Sequence, residues 1–597
     1  MIYIYAHRGD GTAVPFTKVV TSASLYTSDG DVADVLSGTP IGGYVYVDKQ
    51  NGSIEQYTGD GLITSITTAR GERMTFTYSV NTTPVSIAPG AGHLLRVEDS
   101  KGRAVEFEYA LSSLFAPSRI TRVKDSSGRY LQFSYSTAGE LASITWQDGR
   151  TREFKYELAS LPSALTGVVD ERGVRSASFG YSASGVALST ENAGGLNRFA
   201  VSYLQEPVIE VESESYDLST KTVSRTLRRI APQGVQITTP NNMPVDLLST
   251  IVGGTPFVLG KSQPAGSGCA ASTSSSTYDA NGNATSTDDF NGTRSCSVYS
   301  GTLETVRVDG LSNNTACSTV TGAGTTLPAN SRKTAMAWHP QWRLQTKLAE
   351  PRKLTTTVYN GQPDPFNGNA VASCAPAAAP LPDGTPIAVI CKTVEQATTD
   401  LDGKFGLSAT IDASVPNRIN TFTYNQFGSV LTATDARNFT TTYAYYPTST
   451  ATAKIGDLQS ITNAVGKVQT FDAYDATGAL LSSTDPRGAV TTYSYDNRQR
   501  LLSTSVAGLI TSYAYDNAGR LATVTMPDTS SIQYGYDDAN RMTGITDSAG
   551  NTVTYVLDTS GNATSEQWKD STGALAKNIT RVFDALNRLQ SATGARQ

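Results

Sequence analysis

Short runs of apolar, aromatic and β-branched residues alternate with polar turn residues along most of the chain. The runs are rich in Thr, Val, Ile, Tyr and Phe, and Gly, Asp or Asn interrupts them about every ten residues. Aromatic residues two positions apart, such as Tyr493 and Tyr495, lie on the same face of an extended strand. The pattern therefore predicts an almost wholly β protein built from hairpins, with helix nearly absent.

One unit repeats in the C-terminal part of the chain. An aromatic residue or a leucine is followed directly by Asp, and the unit returns after 20 or 21 residues until a longer last step. The pairs are Tyr474-Asp475, Tyr495-Asp496, Tyr515-Asp516, Tyr536-Asp537, Leu557-Asp558 and Phe583-Asp584. Four positions after the aromatic residue stand Gly478, Gly519, Asn540, Gly561 and Asn587.

A second spacing rule links the two ends of the chain. A glycine is followed five and seven residues later by aromatic residues. The rule holds for Gly71, Gly102, Gly128, Gly149, Gly488 and Gly508. Both ends therefore share one repeat frame, and repeats of this length are typical of extended arrays.

The repeated Asp-x-x-Gly element predicts a hairpin turn. In Asp475–Gly478 and Asp516–Gly519, Asp can accept backbone N–H bonds and Gly can adopt positive φ, as in a type I turn that closes on a bulge. The aromatic residues are then expected to pack as a ladder across the strands. Carbohydrate binding by the Tyr-Asp pairs is the rival interpretation. It is disfavoured because the pair recurs in every unit.

Repeat regularity divides the chain into three segments. Residues 1–200 and 421–597 carry the regular repeat, whereas 201–420 is an irregular, Cys-containing region with loop insertions such as KSQPAGSGCAASTSSS.

All five cysteines lie in the middle segment, which favours disulfides and an oxidising compartment over free thiols or metal binding. Cys374 and Cys391 flank a turn-rich stretch and are predicted to pair. Cys269 with Cys296 is the next choice, which would leave Cys317 free.

Composition excludes several classes of function. The 597 residues carry a net charge of −6, and the 47 Lys and Arg residues are scattered, so a nucleic-acid partner is not expected. No apolar run is long enough for a transmembrane helix. The three histidines show no metal-ligand spacing, and no catalytic or cofactor motif occurs in a fitting context. We therefore expect no enzyme activity, no catalytic residue, no cofactor and no metal.

The strings TDPRGAVTTYSYDNRQRLLSTS and YAYDNAGRLATVTMPDTSSIQYGYDDANRMTGI resemble the YD repeats of the RHS family. That family includes bacterial polymorphic toxins, cocoon-forming subunits of insecticidal toxin complexes and teneurins. The resemblance covers about 421–597 and about 50–190. It implies a β-sheet that spirals into a hollow shell around a C-terminal toxin domain, with a core segment that releases the toxin by using aspartates.

Three parts of the family pattern are not found in this chain: a delivery domain, a toxin domain and the core segment. The nearest match to the cleavage motif, Asp485-Pro486-Arg487-Gly488, stands in the repeat frame as an ordinary turn. Self-cleavage is therefore not expected. Both ends of the chain lie within a repeat, and so we expect an incomplete shell whose strand edges recruit a partner.

The leading functional hypothesis is a non-catalytic, encapsulating shell of a secreted RHS-type toxin, or a fragment of one. Its partner would be a C-terminal core or toxin domain, or a neighbouring chain that completes the shell. A carbohydrate-binding adhesin and a glycan-active enzyme are the alternatives. Both the leading hypothesis and the adhesin place the protein outside the cell or at its surface.

Overall fold

The computed structural model describes most of the chain. The described residues are 3–8, 13–19, 22, 24–28, 32–110, 118–203, 213–217, 222–226, 234–252, 255–266, 268–377 and 380–596. They form 49 strands and three short 3-10 helices, Ala193–Gly195, Cys317–Thr319 and Gly406–Ser408, and they contain no α-helix. The prediction of an almost wholly β hairpin array is confirmed.

The strands are short and follow one another along the whole chain. Those of the first half are β1 Tyr3–His7, β2 Ala13–Lys18, β3 Leu25–Thr27, β4 Val35–Thr39, β5 Gly43–Asp48, β6 Ser53–Tyr57, β7 Ile63–Thr68, β8 Arg73–Tyr78, β9 Leu94–Asp99, β10 Ala104–Tyr109, β11 Ile120–Lys124, β12 Tyr130–Tyr135, β13 Leu141–Thr145, β14 Thr151–Lys155, β15 Gly167–Val169, β16 Arg175–Tyr181, β17 Ala187–Asn192, β18 Leu196–Tyr203, β19 Ser213–Asp217, β20 Thr222–Thr226, β21 Gly234–Thr238, β22 Pro244–Val252, β23 Thr255–Gln263, β24 Ser272–Tyr278 and β25 Ala284–Asp288.

Those of the second half are β26 Thr293–Ser300, β27 Leu303–Ser312, β28 Arg332–Trp338, β29 Gln345–Glu350, β30 Lys353–Tyr359, β31 Pro363–Asp364, β32 Ala370–Val371, β33 Ile390–Ala397, β34 Arg418–Tyr424, β35 Val430–Thr434, β36 Thr440–Tyr445, β37 Leu458–Thr462, β38 Val468–Tyr474, β39 Leu480–Thr484, β40 Val490–Tyr495, β41 Leu501–Val506, β42 Leu509–Tyr515, β43 Leu521–Thr525, β44 Ser531–Tyr536, β45 Met542–Asp547, β46 Thr552–Leu557, β47 Ala563–Lys569, β48 Leu575–Phe583 and β49 Leu589–Arg596.

Among the described strands, 45 belong to one antiparallel sheet, while β19 with β20 and β31 with β32 form separate two-stranded ladders. By compactness the chain divides into two units, Met1–Leu131 with Arg294–Tyr493 and Gln132–Thr293 with Ser494–Gln597. Each unit combines a stretch from the N-terminal half with a stretch from the C-terminal half. The three segments 1–200, 201–420 and 421–597 stay a prediction about repeat regularity.

The pairing register explains the spacing of the repeat. Strand β42 pairs with β43 from Ser512 opposite Thr525 to Tyr515 opposite Leu521, and the register shifts by one residue between Ala514 and Tyr515. The same shift precedes the turns after Tyr474 and Tyr536. An extra residue at this position is what a type I turn followed by a left-handed residue requires.

Side chains on the repeat strands are only partly buried. In β40, half-buried Tyr493 and Tyr495 alternate with exposed Thr492 and Ser494. The buried apolar clusters are small, and one of them consists of Phe16, Tyr26, Leu36 and Tyr46.

Candidate functional site: a seam between two rows of hairpin turns

The predicted turn chemistry is present at the repeat aspartates. The Oδ1 atom of Asp475 accepts hydrogen bonds from the backbone N–H groups of Thr477, Gly478 and Ala479, each at 2.9 Å. Gly478 has φ of 99°. The side chain therefore caps the turn, and the glycine allows the left-handed residue that closes it.

The other repeat-defining aspartates occupy the same position in their turns. Asp496, Asp516 and Asp537 each accept a backbone N–H bond from the residue four positions on, at 2.9 Å. Gly519 has φ of 88°, and Asn540 stands in the equivalent place with φ of 65°. These residues therefore build the hairpins, and the structure does not gather them into one cleft.

The repeat tyrosines bond to the preceding hairpin. The hydroxyl of Tyr474 donates to the carbonyl of Leu458 at 2.6 Å, and Tyr515 and Tyr536 donate to Leu501 and Leu521 at 3.0 and 2.9 Å. Burial, followed by the charge of Asp457, raises the pKa of Tyr474 to about 12. Tyr495 ends β40 at the equivalent repeat position. The ladder prediction expected contacts between aromatic rings. The contact that repeats in these three tyrosines is a hydrogen bond from the hydroxyl to a backbone carbonyl.

An arginine five positions after the tyrosine connects successive turns. Arg520 pairs with its own Asp516 at 2.6 Å and donates to the carbonyl of Asp537 in the next turn at 3.1 Å. Its guanidinium also lies over the ring of Tyr536, 4.4 Å from the ring centroid. Sequence reasoning missed these arginines, although Arg500, Arg520, Arg541 and Arg588 recur at one fixed offset.

We use the term seam for the contacts, within each unit, between turns of the N-terminal stretch and turns of the C-terminal stretch. In the second unit, Arg498 donates from Nη2 to Oδ1 of Asp148 at 2.8 Å, and its Nε lies 2.7 Å from Oδ2. Arg498 and Asp148 have side chains that are only 10% and 21% exposed. The pair therefore combines one charge-assisted hydrogen bond with a second close ion-pair contact.

A buried carboxylate, that of Glu171, lies next to this pair. The Glu171 side chain is 1% exposed and accepts a hydrogen bond from Nε1 of Trp146 at 2.6 Å. Nη2 of Arg152 lies 3.1 Å from Glu171, and Nη1 of Arg498 lies 4.0 Å from it. Arg498 therefore faces two carboxylates, and the removal of its charge would leave both with less compensation.

Further bonds continue the seam in the second unit. Arg172 donates to the carbonyl of Asp538 at 3.0 Å. The backbone N–H of Asn197 donates to the carbonyl of Thr559 at 2.9 Å. The seam thus uses backbone groups as well as charged side chains.

The first unit contains a seam of the same kind. Arg103 donates from Nη2 to both carboxylate oxygens of Asp457, at 2.6 and 2.7 Å, and the Asp457 side chain is 3% exposed. The backbone N–H of Ala388 donates to the carbonyl of Ala69 at 2.7 Å. Sequence reasoning found none of these partners, because they are separated by hundreds of residues.

Replacing Gly428 by Ala should destabilise the seam of the first unit. A Cβ atom there would lie 2.0 Å from the carbonyl oxygen of Arg70, and φ is +73°. Gly466 is the matched control, because it also ends an Asn-x-x-Gly turn, has φ of +77° and has nothing within 4 Å of its Cβ position. Both substitutions carry the same backbone strain, and only Gly428→Ala adds the clash with Arg70. Gly428→Ala should therefore lower the free energy of unfolding by at least about 1 kcal/mol more than Gly466→Ala. Equal denaturation midpoints for the two variants would contradict the contact.

The aspartates of the turns and of the seam make the fold sensitive to acid. Burial alone would raise the pKa of Asp148, but hydrogen bonds from Arg498 and from backbone N–H groups outweigh it and lower the pKa. Backbone N–H bonds lower the pKa of Asp485. The Arg588 side chain, together with backbone N–H groups, lowers the pKa of Asp584 to about 2.

We therefore expect thermal stability to fall in acid. Because these folded-state pKa values are depressed, the carboxylates stabilise the fold above their unfolded pKa of about 3.9, and this contribution is lost as pH falls toward about 2. Melting followed by circular dichroism should give a midpoint that is flat above about pH 5 and lower at each step below pH 4. An unchanged midpoint at pH 2.5 would contradict this.

The structure contains two disulfides. Cys374 is bonded to Cys391, the pair that the sequence favoured. Cys296 is bonded to Cys317, so the predicted pairing of Cys269 with Cys296 is wrong and Cys317 is not free. Cys296 lies on β26 beside Val308 in a buried cluster against which Cys317 packs. The free cysteine is Cys269, whose Sγ lies 3.1 Å from Nη2 of Arg588.

Asp485 lies in a turn, where its Oδ1 accepts the backbone N–H bonds of Arg487 and Ala489 at 2.8 and 2.9 Å. The absence of self-cleavage stays a prediction. In the part of the chain that the structure describes, no helix is long and apolar enough to cross a membrane.

Residues 453–566 match the family model described as Teneurin YD-shell. No curated protein matches the chain. A crystal structure of TcdB2-TccC3 without the hypervariable C-terminal region is similar over 93% of this chain and 27% of that chain, with 13% identity and a TM-score of 0.50. A crystal structure of TcdB2-TccC3 is similar over 97% of this chain and 35% of that chain, with 12% identity and a TM-score of 0.49. A Tc holotoxin pore of Photorhabdus luminescens is similar over 92% of this chain and 27% of that chain, with 13% identity and a TM-score of 0.49.

The likeness with a TM-score of 0.50 shows that this chain shares its fold with part of the TcdB2-TccC3 structure. This chain spans only 27% to 35% of the length of these three solved chains.

Proposed function

We propose that this RHS/YD-repeat protein acts as a non-catalytic wall that separates an enclosed polypeptide from its surroundings. The observation that carries the proposal is the seam, in which Arg498 and Arg103 each donate from Nη2 to a carboxylate of a distant turn. A wall needs such lateral joins, because backbone hydrogen bonds link a strand only to its neighbours in the same sheet.

The repeat residues support the same proposal. Asp475, Asp496, Asp516 and Asp537 cap turns, and Tyr474, Tyr515 and Tyr536 bond to backbone carbonyls of preceding strands, which suits a structural role.

We further propose that the wall belongs to a secreted bacterial toxin and works outside the cell that makes it. Support comes from the similar fold of TcdB2-TccC3 without its hypervariable C-terminal region. The two disulfides suit an oxidising compartment. The enclosed cargo would be a toxin segment or a neighbouring chain.

Small-angle X-ray scattering of the purified protein tests the wall directly. A compact monomer of 597 residues has a radius of gyration of about 25 Å. A sheet that encloses solvent should give a clearly larger value at the molecular mass of a monomer, with few short interatomic distances. A radius near 25 Å would contradict the proposal.

A further inference from the structure

A polar cavity of about 350 Å³ lies in the first unit, between strands β6 to β8 and the disulfide-closed segment 374–391. We call it the covered cavity. Its polar lining includes Gln56, Thr67, Arg73 and Gln426, and its apolar lining includes Leu381 and Ile387. The volume lies at the small end of the range of ligand pockets.

The face of β6 and β7 that lines the covered cavity also contacts the disulfide-closed segment. Ile54 packs with Leu381 and Ile387 in a buried cluster. Thr67 is opposite Ile54 in the register, and Arg73 is opposite Thr67. The contact of Ile54 with Leu381 and Ile387 therefore forms one side of the covered cavity. Thr67 and Arg73, beside it, line the space that a ligand would fill.

The hydroxyl of Thr67 has no hydrogen-bond partner in the structure, although the residue is only 5% exposed. Buried hydroxyls are almost always satisfied, because leaving one unpaired is unfavourable. This side chain lines the covered cavity, so a bound molecule that donates or accepts a hydrogen bond there would satisfy it.

The remaining polar groups are mainly donors. Oε1 of Gln56 already accepts from the hydroxyl of Ser65 at 2.8 Å and lies 3.5 Å from Nη2 of Arg73. This leaves the Gln56 amide N–H groups to donate. Arg73 is exposed and, among the described residues, forms no ion pair with a carboxylate. A guanidinium without a counter-ion favours a carboxylate ligand.

We propose that the covered cavity binds a small hydroxylated monocarboxylate. Arg73 would hold the carboxylate, the Thr67 hydroxyl and the Gln56 amide would bond to ligand hydroxyls, and Leu381 and Ile387 would pack on the carbon chain. This proposal is independent of the role of the chain as a wall.

The test uses the full chain with its disulfides intact and three six-carbon probes. D-gluconate carries both the carboxylate and the hydroxyls, hexanoate lacks the hydroxyls, and sorbitol lacks the carboxylate. Saturation-transfer NMR and titration calorimetry should show saturable binding of gluconate, at least about tenfold tighter than binding of either other probe.

Two variants locate the binding, and a third is the control. Arg73→Gln should weaken gluconate binding by about tenfold or more, and Thr67→Val by about threefold or more. Arg418→Gln removes an arginine that is 75% exposed in the same unit and should leave binding unchanged. Thr67→Val should not lower the melting temperature without ligand, because it removes an unpaired buried hydroxyl.

Each alternative result overturns the proposal. The wild-type protein could show no saturable binding of gluconate, which would mean that the covered cavity holds water only. Gluconate could bind Arg73→Gln as well as it binds the wild type, or sorbitol and hexanoate could bind as tightly as gluconate.

Discussion

Replacing Arg498 by Met should destabilise the second unit by about 3–5 kcal/mol, the usual cost of removing one partner of a buried ion pair. The substitution keeps much of the side-chain volume but removes the closest guanidinium from Asp148 and leaves the 1% exposed Glu171 with Arg152. Hydrogen exchange of the amides around residues 146–150 reports the loss locally, and urea denaturation reports it for the unit.

Arg437→Met is the matched control. Arg437 pairs with Asp435 at 2.8 Å, but its side chain is 76% exposed, so the substitution should cost less than about 1 kcal/mol. Adding Asp148→Leu to Arg498→Met should recover part of the stability, because it removes a carboxylate that has lost its closest partner and keeps only the more distant Arg500 and Arg150. Equal effects of Arg498→Met and Arg437→Met would show that the seam pair is an ordinary surface contact.

Removing the Cys374–Cys391 disulfide should have the second largest effect. The cysteines are 17 residues apart, and closing a loop of this length stabilises a fold by about 3 kcal/mol in the chain-entropy model. In the double variant Cys374→Ala, Cys391→Ala, hydrogen exchange should increase first at Ala388, whose N–H bonds to Ala69. The covered cavity should lose its gluconate binding together with this protection.

Cys269→Ala is the control for this variant, because Cys269 is in no disulfide. It should change stability by less than about 1 kcal/mol. A double variant as stable as Cys269→Ala would mean that apolar contacts and hydrogen bonds hold the segment without the disulfide.

Local chemistry made the hairpins predictable from sequence. The Asp475 cap and the positive φ of Gly478 depend on residues three positions apart, and a short-range pattern encodes them fully. The strand alternation around Tyr493 and Tyr495 is equally local. Asn540 could be placed in the same turn position because asparagine tolerates positive φ better than most residues.

The seam could not be predicted in the same way. Arg498 and Asp148 are 350 residues apart, and Arg103 and Asp457 are 354 apart. Their contact depends on how many hairpins separate two turns and on the twist of the sheet. The sequence of a single repeat determines neither quantity. The Cys296–Cys317 bond was missed for a related reason, since spacing alone does not fix connectivity.

The most direct test of the wall is protection of a tethered polypeptide. An unstructured peptide with one protease site is fused after Gln597, on the wild-type chain and on a chain with Arg498→Met and Arg103→Met. The rate of cleavage of each is compared with that of the free peptide. We expect slower cleavage on the wild-type chain and a rate close to that of the free peptide when the seam is broken. Cleavage of the wild-type fusion as fast as the free peptide would contradict the account.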